Sequence, residues 1–280
     1  MLTRFLLMLT LILSGTVALT GAWPGSLAPS TRNADARFVP QNLPLDPDII
    51  GSGVNARQLL EKALEKLAAE RMTWLKTKIR QTMTEVDVPV TAEGFLQRGP
   101  NHCARLELKV VRTGAPGKLV IVSDGAIVAQ VRKMPGVVPS AQVERLPDDA
   151  NAKEAVLRDR CCGGPLAMLT EIHQHLKNSK LQTGLLNDKP VVQIKGDLSA
   201  GDFPTFANMK VSVTHAYVFL DAKTLWPSRM EWWGLDKSQT LRPIVQTDFL
   251  DAEIDQPLSL EECQRVFSYQ PVGDEKVTEK

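Results

Sequence analysis

Residues 215–234 read His215-Ala-Tyr217-Val-Phe219-Leu-Asp221-Ala-Lys-Thr-Leu-Trp226-Pro-Ser-Arg229-Met-Glu231-Trp232-Trp233-Gly234. Two runs rich in aromatic and β-branched residues flank a short polar turn, the pattern of an antiparallel hairpin. Trp232 and Trp233 are neighbours on the second run, so as strand residues they point to opposite faces of a sheet. One belongs to a core, and the other is exposed or covered by another element.

The same grammar extends in both directions. Upstream, Leu75, Thr77, Ile79, Gln81 and Met83 alternate with Trp74, Lys76, Lys78, Arg80 and Thr82. Further strands are expected over 91–97, 104–111, 118–123 and 127–134, with a less regular one over 142–146. Asp124-Gly125 marks a tight hairpin turn. Strands over 181–186 and 189–196 precede the aromatic hairpin, and another over 243–250 follows it. Short turns between successive strands predict antiparallel neighbours. The total is about ten or eleven strands in a meander, and a sheet of that length curls or closes because open edges are costly.

Helices interrupt the meander. Asn55 with Gln58 three residues later opens an amphipathic helix whose apolar side carries Leu60, Ala63, Leu64 and Leu67. Residues 147–163 are charged and tolerate a helix. Gly163-Gly164-Pro165 opens a helix over 166–177, with its proline in the first turn. Ser259 and Glu262 cap a short one over 259–266. The fold class is therefore α+β: a strongly curved antiparallel sheet, an unclosed barrel, with helices covering its open face.

The chain begins with Arg4 followed by an apolar run to Ala22, ending in small residues. This predicts an export signal over 1–22, cleaved after Ala22. An uncleaved membrane anchor is the other reading of that length. Residues 23–53 are rich in Pro, Gly, Ser, Asn and Asp and read as a flexible arm. The folded domain is expected over 54–271 and a polar tail over 272–280. Lys+Arg 33 against Asp+Glu 32 becomes an even balance once Arg4 is removed with the leader. A neutral, interspersed surface argues against nucleic acid and against a polybasic membrane patch.

Cys103, Cys161, Cys162 and Cys263 form an even set, which in an exported protein is a candidate disulfide framework. Adjacent Cys161 and Cys162 would strain a bridge to each other, so a bridge from one of them to Cys103 or Cys263 is favoured over it. Four free thiols are the other reading. Without Cys-x-x-Cys spacing there is no zinc-ribbon or thioredoxin signature.

No phosphate loop, nucleophile elbow, His-Glu-x-x-His or dinucleotide fingerprint occurs. His173 and His175 lie two apart on an expected helix, about 200° around its axis, which is wrong for a metal pair. His102 and His215 stand alone. No catalytic residue, cofactor or metal ligand is assigned, and the chain reads as non-enzymatic.

The order of elements, with Val122-Ser-Asp-Gly125 turning between two strands, Gly163-Gly-Pro-Leu166 opening an inserted helix and Phe219-Leu-Asp-Ala-Lys-Thr-Leu-Trp-Pro-Ser-Arg229 in the hairpin, resembles the LolA-like superfamily of periplasmic lipoprotein carriers and their relatives. The resemblance covers roughly residues 54–270. It implies an exported protein of the periplasm or envelope with an apolar cavity between curved sheet and helices, able to take a lipid or the acyl chain of a lipoprotein. Tyr217, Phe219, Trp226, Trp232 and Trp233 are the candidate wall of such a cavity, and ordinary core packing is their other reading. The competing functional reading is a structural or protein-interaction module of the envelope, with a filled core and a protein partner. An envelope hydrolase would need a polar cleft assembled from distant strands.

Overall fold

The computed structural model describes residues 37–44, 53–69, 74–84, 90–112, 115–160, 162–199, 213–235, 240–271 and 276–279. The expected signal segment lies outside them. Thirteen strands form one sheet. They are β1 (Phe38–Pro40), β2 (Leu75–Met83), β3 (Val90–Arg98), β4 (Cys103–Arg112), β5 (Ala115–Asp124), β6 (Ile127–Lys133), β7 (Ser140–Arg145), β8 (Lys177–Leu186), β9 (Lys189–Asp197), β10 (Val213–Asp221), β11 (Pro227–Leu235), β12 (Leu241–Ile254) and β13 (Lys276–Glu279). Four helices accompany them: α1 (Ala56–Ala69), α2 (Ala150–Asp159), α3 (Gly164–His175) and α4 (Leu260–Phe267). Among the described residues no helix is long and apolar enough to cross a membrane.

The strand order is β1-β8-β9-β10-β11-β12-β2-β3-β4-β5-β6-β7-β13. Two meanders, β2–β7 and β8–β12, are therefore fused through β12 and β2, which pair antiparallel with Val245 opposite Met83 and Phe249 opposite Ile79. The sheet is curved and does not close. Because β7 and β8 lie toward opposite edges, the chain between them must cross the sheet. α2 and α3 lie in that crossing segment.

Alternation assigns the faces. Ala216, Val218 and Leu220 on β10 stand opposite Trp232, Met230 and Pro227 on β11. Across the join, Leu75, Ile79 and Met83 point the same way and are buried with Leu96, Leu106 and Ile121 in one core. Against this concave face lie Leu59, Leu60, Ala63 and Leu67 of α1, Leu157 of α2, and Leu169 and Ile172 of α3. Each such leucine or isoleucine contributes about 1.5–3 kcal/mol when removed from water. α1 starts as its sequence predicts: Gln58 N–H donates to Asn55 Oδ1 at 2.9 Å and Asn55 N–H donates to Gln58 Oε1 at 3.0 Å. At the head of α3 the backbone comes against the sheet. Gly164 has φ +61°, and a Cβ there would lie 2.5 Å from Leu96 Cδ2.

Two features depart from the expected layout. The strand count exceeds ten or eleven because both sheet edges are formed by segments assigned to the arm and the tail. β1 pairs with β8, and the Phe38 ring occupies the space beside Gly184, where a Cβ would lie 2.4 Å from the ring. β13 pairs parallel with β7 and is exposed along its whole length. Both are short, and neither has the apolar alternation that betrays a strand. In addition, α4 does not join the other helices. It packs over β4 and β5 on the outer face, where Arg105 Nη1 donates to the Val266 carbonyl at 2.9 Å.

Candidate ligand-binding cleft

The β3–β4 turn and the β5–β6 turn meet at one end of the sheet. Asn101 and His102 both have positive φ, 55° and 63°, and close the first turn. Gly125 closes the second at φ +88°. A Cβ on Gly125 would lie 2.2 Å from the Asn101 carbonyl oxygen, so the two turns press together only because this residue is glycine. Asp124 Oδ1 accepts from the Ala126 and Ile127 N–H groups at 2.8 and 2.9 Å, which rigidifies the second turn.

α2 is docked onto both turns by adjacent side chains. Lys153 Nζ donates to the Gly125 carbonyl at 2.8 Å. Glu154 accepts two hydrogen bonds from Arg98, Nη1 to Oε1 at 2.9 Å and Nη2 to Oε2 at 2.7 Å. His102 Nδ1 lies 3.6 Å from the same carboxylate. Burial opposes ionisation of Glu154, but the hydrogen bonds and charge of Arg98, with His102 adding to them, outweigh it and hold the acid below its usual range.

Between this rim, the end of α1 and the head of α3 lies a cleft of about 860 Å³. Leu67, Leu75, Pro165 and Leu166 supply apolar wall, and Arg98, His102, Asp124, Lys153 and Glu154 supply charge. The lining is amphipathic, with apolar wall on one side and charged side chains at the rim. Cys162 is fully buried, and burial pushes its thiol up to about 12, so it is an unreactive core residue. Among the described residues no group of three or more His, Cys, Asp or Glu side chains is placed to hold a metal ion.

The five aromatic candidates are divided between faces. Trp232 is on the concave side, fully buried, with Ala216 and Val245 as cross-strand neighbours. Tyr217, Phe219 and Trp233 are on the outer face. Tyr217 and Trp233 pack with ring centroids 4.9 Å apart, and Phe219 meets Phe38 edge-on at 5.6 Å. Trp226 borders a separate cavity of about 350 Å³ with Leu186, Val191 and Phe249. None of the five lines the large cleft. Their strand periodicity separates Trp232 from Tyr217, Phe219 and Trp233 by the thickness of the sheet.

Of the cysteines, Cys103 and Cys263 are half-buried thiols, Cys162 is a buried one, and Cys161 lies outside the described residues. Cys162 is in the concave core, whereas Cys263 is on α4 over the outer face, so the sheet stands between them.

The sequence reading missed the cleft residues and a buried polar row on the outer face. There Arg229 Nε donates to Asp248 Oδ1 at 2.6 Å, Gln246 Nε2 donates to Asp248 Oδ2 at 3.0 Å, and Trp233 Nε1 donates to Glu231 Oε2 at 2.7 Å. Arg229, Glu231 and Asp248 are almost fully buried. A signal existed in the Arg-x-Glu-x-Trp alternation of β11, which puts all three side chains on one face.

No protein-family model matches the chain, and neither does a curated relative. Solved structures are similar to it. LprF from Mycobacterium bovis is 14% identical, over 77% of this chain and 97% of that one, with a TM-score of 0.41. The Mycobacterium tuberculosis lipoprotein LppX is 14% identical, over 72% and 97%, with a TM-score of 0.32. For the MucA/MucB complex of Pseudomonas aeruginosa the identity is 14% and the TM-score 0.38, over 75% of this chain but only 60% of the solved chain. At these identities and scores the likeness assigns no ligand, partner or reaction to this protein.

Proposed function

We propose that this is an exported, non-enzymatic binding protein of the cell envelope that takes the acyl chain of a lipid, or of an acylated partner, into the cleft between α1, the head of α3 and the two turns. The observation that carries the reading is the cleft itself. Its volume of about 860 Å³ falls within the range of small-molecule sites, roughly 300–1,000 Å³. Its leucine wall suits an alkyl chain, at about 0.8 kcal/mol per buried CH₂. Arg98, His102 and Lys153 stand where a polar end would emerge. Trp232 serves this reading as the packed floor of the core, and Trp226 as a wall of the smaller cavity.

One observation favours a second reading, a protein-interaction module. The centre of the concave face is filled, with Trp232, Met83 and Leu59 at essentially zero exposure. A ligand there has only the mouth to occupy, and a protein partner could use the same rim.

The two are separated by purifying the full chain, extracting it for lipid mass spectrometry and titrating it with a fluorescent fatty acid. Acyl-chain binding predicts saturable uptake that falls tenfold or more in Leu166→Glu, a half-buried position, without loss of the folded state. A chain that carries no lipid and takes up no fatty acid, while remaining folded, overturns the lipid reading in favour of the protein-interaction one.

A further inference from the structure

α4 is held to the outer face by two contacts that share one register. Arg105 on β4 bonds the Val266 carbonyl, and Phe267 is buried beside Gly99, where a Cβ would lie 3.1 Å from its ring. Gly99 N–H in turn donates to the Cys103 carbonyl at 3.0 Å. Cys103 precedes Arg105 by two residues, so it shares the outer face beneath α4. Cys263 precedes Val266 by three and Phe267 by four, so it shares the sheet-facing side of the helix. Both thiols are half-buried.

The geometry points to a Cys103–Cys263 disulfide that staples α4 to the start of β4, formed by exchange with a protein or small-molecule disulfide. One thiolate of the pair attacks a sulfur of the oxidant, forming a mixed disulfide and expelling one oxidant thiolate. The second cysteine, as thiolate, attacks the protein sulfur of that mixed disulfide and expels the other oxidant thiolate. Two electrons pass to the oxidant, and the two protons released by the cysteines are taken up by its thiolates or by water. The Cys103 thiol is pushed up first by burial, then by Asp124 and then by Cys263, so a charge on Cys263 is felt at Cys103. An elevated thiol attacks slowly, which fits a structural bridge better than a rapid switch. The staple also reaches the cleft: Cys103 N–H donates to the Pro100 carbonyl at 3.1 Å and so closes the turn that carries His102. This holds whatever occupies the cleft.

The test is to incubate the full chain with oxidised glutathione, quench in acid, alkylate and map peptides by mass spectrometry. The expected result is a linked peptide pair joining Cys103 to Cys263, with neither alkylated. Oxidised wild type should melt about 5 °C or more above reduced wild type, and Cys263→Ser and Cys103→Ser should each melt with the reduced protein. Alkylation of both cysteines in the oxidised, folded chain overturns the proposal. So does a mapped bridge from either one to Cys161 or Cys162.

Discussion

Arg98, the last residue of β3, and Glu154 in α2 meet through two parallel hydrogen bonds of 2.9 and 2.7 Å across a sequence separation of 56. This fork is the tie between the sheet rim and the helix that crosses from one edge of the sheet toward the other. A bidentate pair of this kind fixes orientation as well as distance. Together with the Lys153 bond to the Gly125 carbonyl, it holds α2 at the rim of the cleft.

Arg98→Ala is expected to destabilise the fold by about 2 kcal/mol, since it leaves a half-buried carboxylate without its partner. Urea unfolding at neutral pH measures this. The pH dependence has a definite sign. Glu154 titrates below its ordinary value of 4.5 in the folded chain, so its contribution is complete above that value and disappears as pH falls through the folded one. In Arg98→Ala this part of the acid-side loss should be missing.

Glu231 carries the opposite sign. Burial raises its pKa most; the Trp233 N–H and Arg229 pull it down, and Asp248 adds to the rise. The folded chain thus holds the proton more tightly than the unfolded one. Stability from this group is full below the ordinary carboxylate value of 4.5 and falls as pH rises through the folded value. Thermal midpoints measured from pH 4 upward should show that decline in wild type, and Glu231→Gln should flatten it.

The adjacent tryptophans should respond unequally to truncation. Trp232→Ala opens a cavity at a fully buried position and is expected to cost about 3–5 kcal/mol. Trp233→Ala removes a half-buried ring packed at a tilt against Tyr217, centroids 4.9 Å apart, and the N–H that donates to Glu231, and should cost less, about 1–2 kcal/mol. Equal losses in denaturant titration would refute the assignment of the two rings to opposite faces.

Gly125→Ala meets both a left-handed backbone and a carbonyl oxygen 2.2 Å from the new Cβ. Gly136, with φ +74° and nothing within 4 Å, meets only the first. Alanine at Gly136 should therefore cost about 1 kcal/mol, and at Gly125 clearly more, because the β3–β4 turn has to move. Comparing the two midpoints isolates the contact between the turns.

The hairpin around Asp221 was legible because its signal is local: two runs rich in aromatic and β-branched residues flank a short polar turn. The same logic identified the central strands, and the caps at Asn55 and Ser259 are written in three-residue spacings. The cleft was not legible. Leu67, Arg98, Glu154 and Leu166 come from three helices and a strand end, and no local pattern joins the helix positions of Leu67 and Leu166 to Arg98 and Glu154. The aromatic residues attracted notice instead because large side chains stand out in a sequence, yet their positions on the strands sent most of them to the outer face.

Sequence alone determined the types of the elements between the two edge strands, the antiparallel neighbours within each meander and the opposite facing of Trp232 and Trp233, since all of these follow from periods of 2 and 3.6 and from turn chemistry. Tertiary structure alone decided that β12 pairs with β2, that β1 and β13 close the two edges, and that α4 sits outside while α1, α2 and α3 sit inside. The physical reason is range. Gln81 Nε2 and Thr247 Oγ1 share a buried hydrogen bond of 3.1 Å across a separation of 166 residues, and no local pattern specifies which distant strand completes a sheet. That join positions the concave face, and the crossing helices then leave the cleft at its rim.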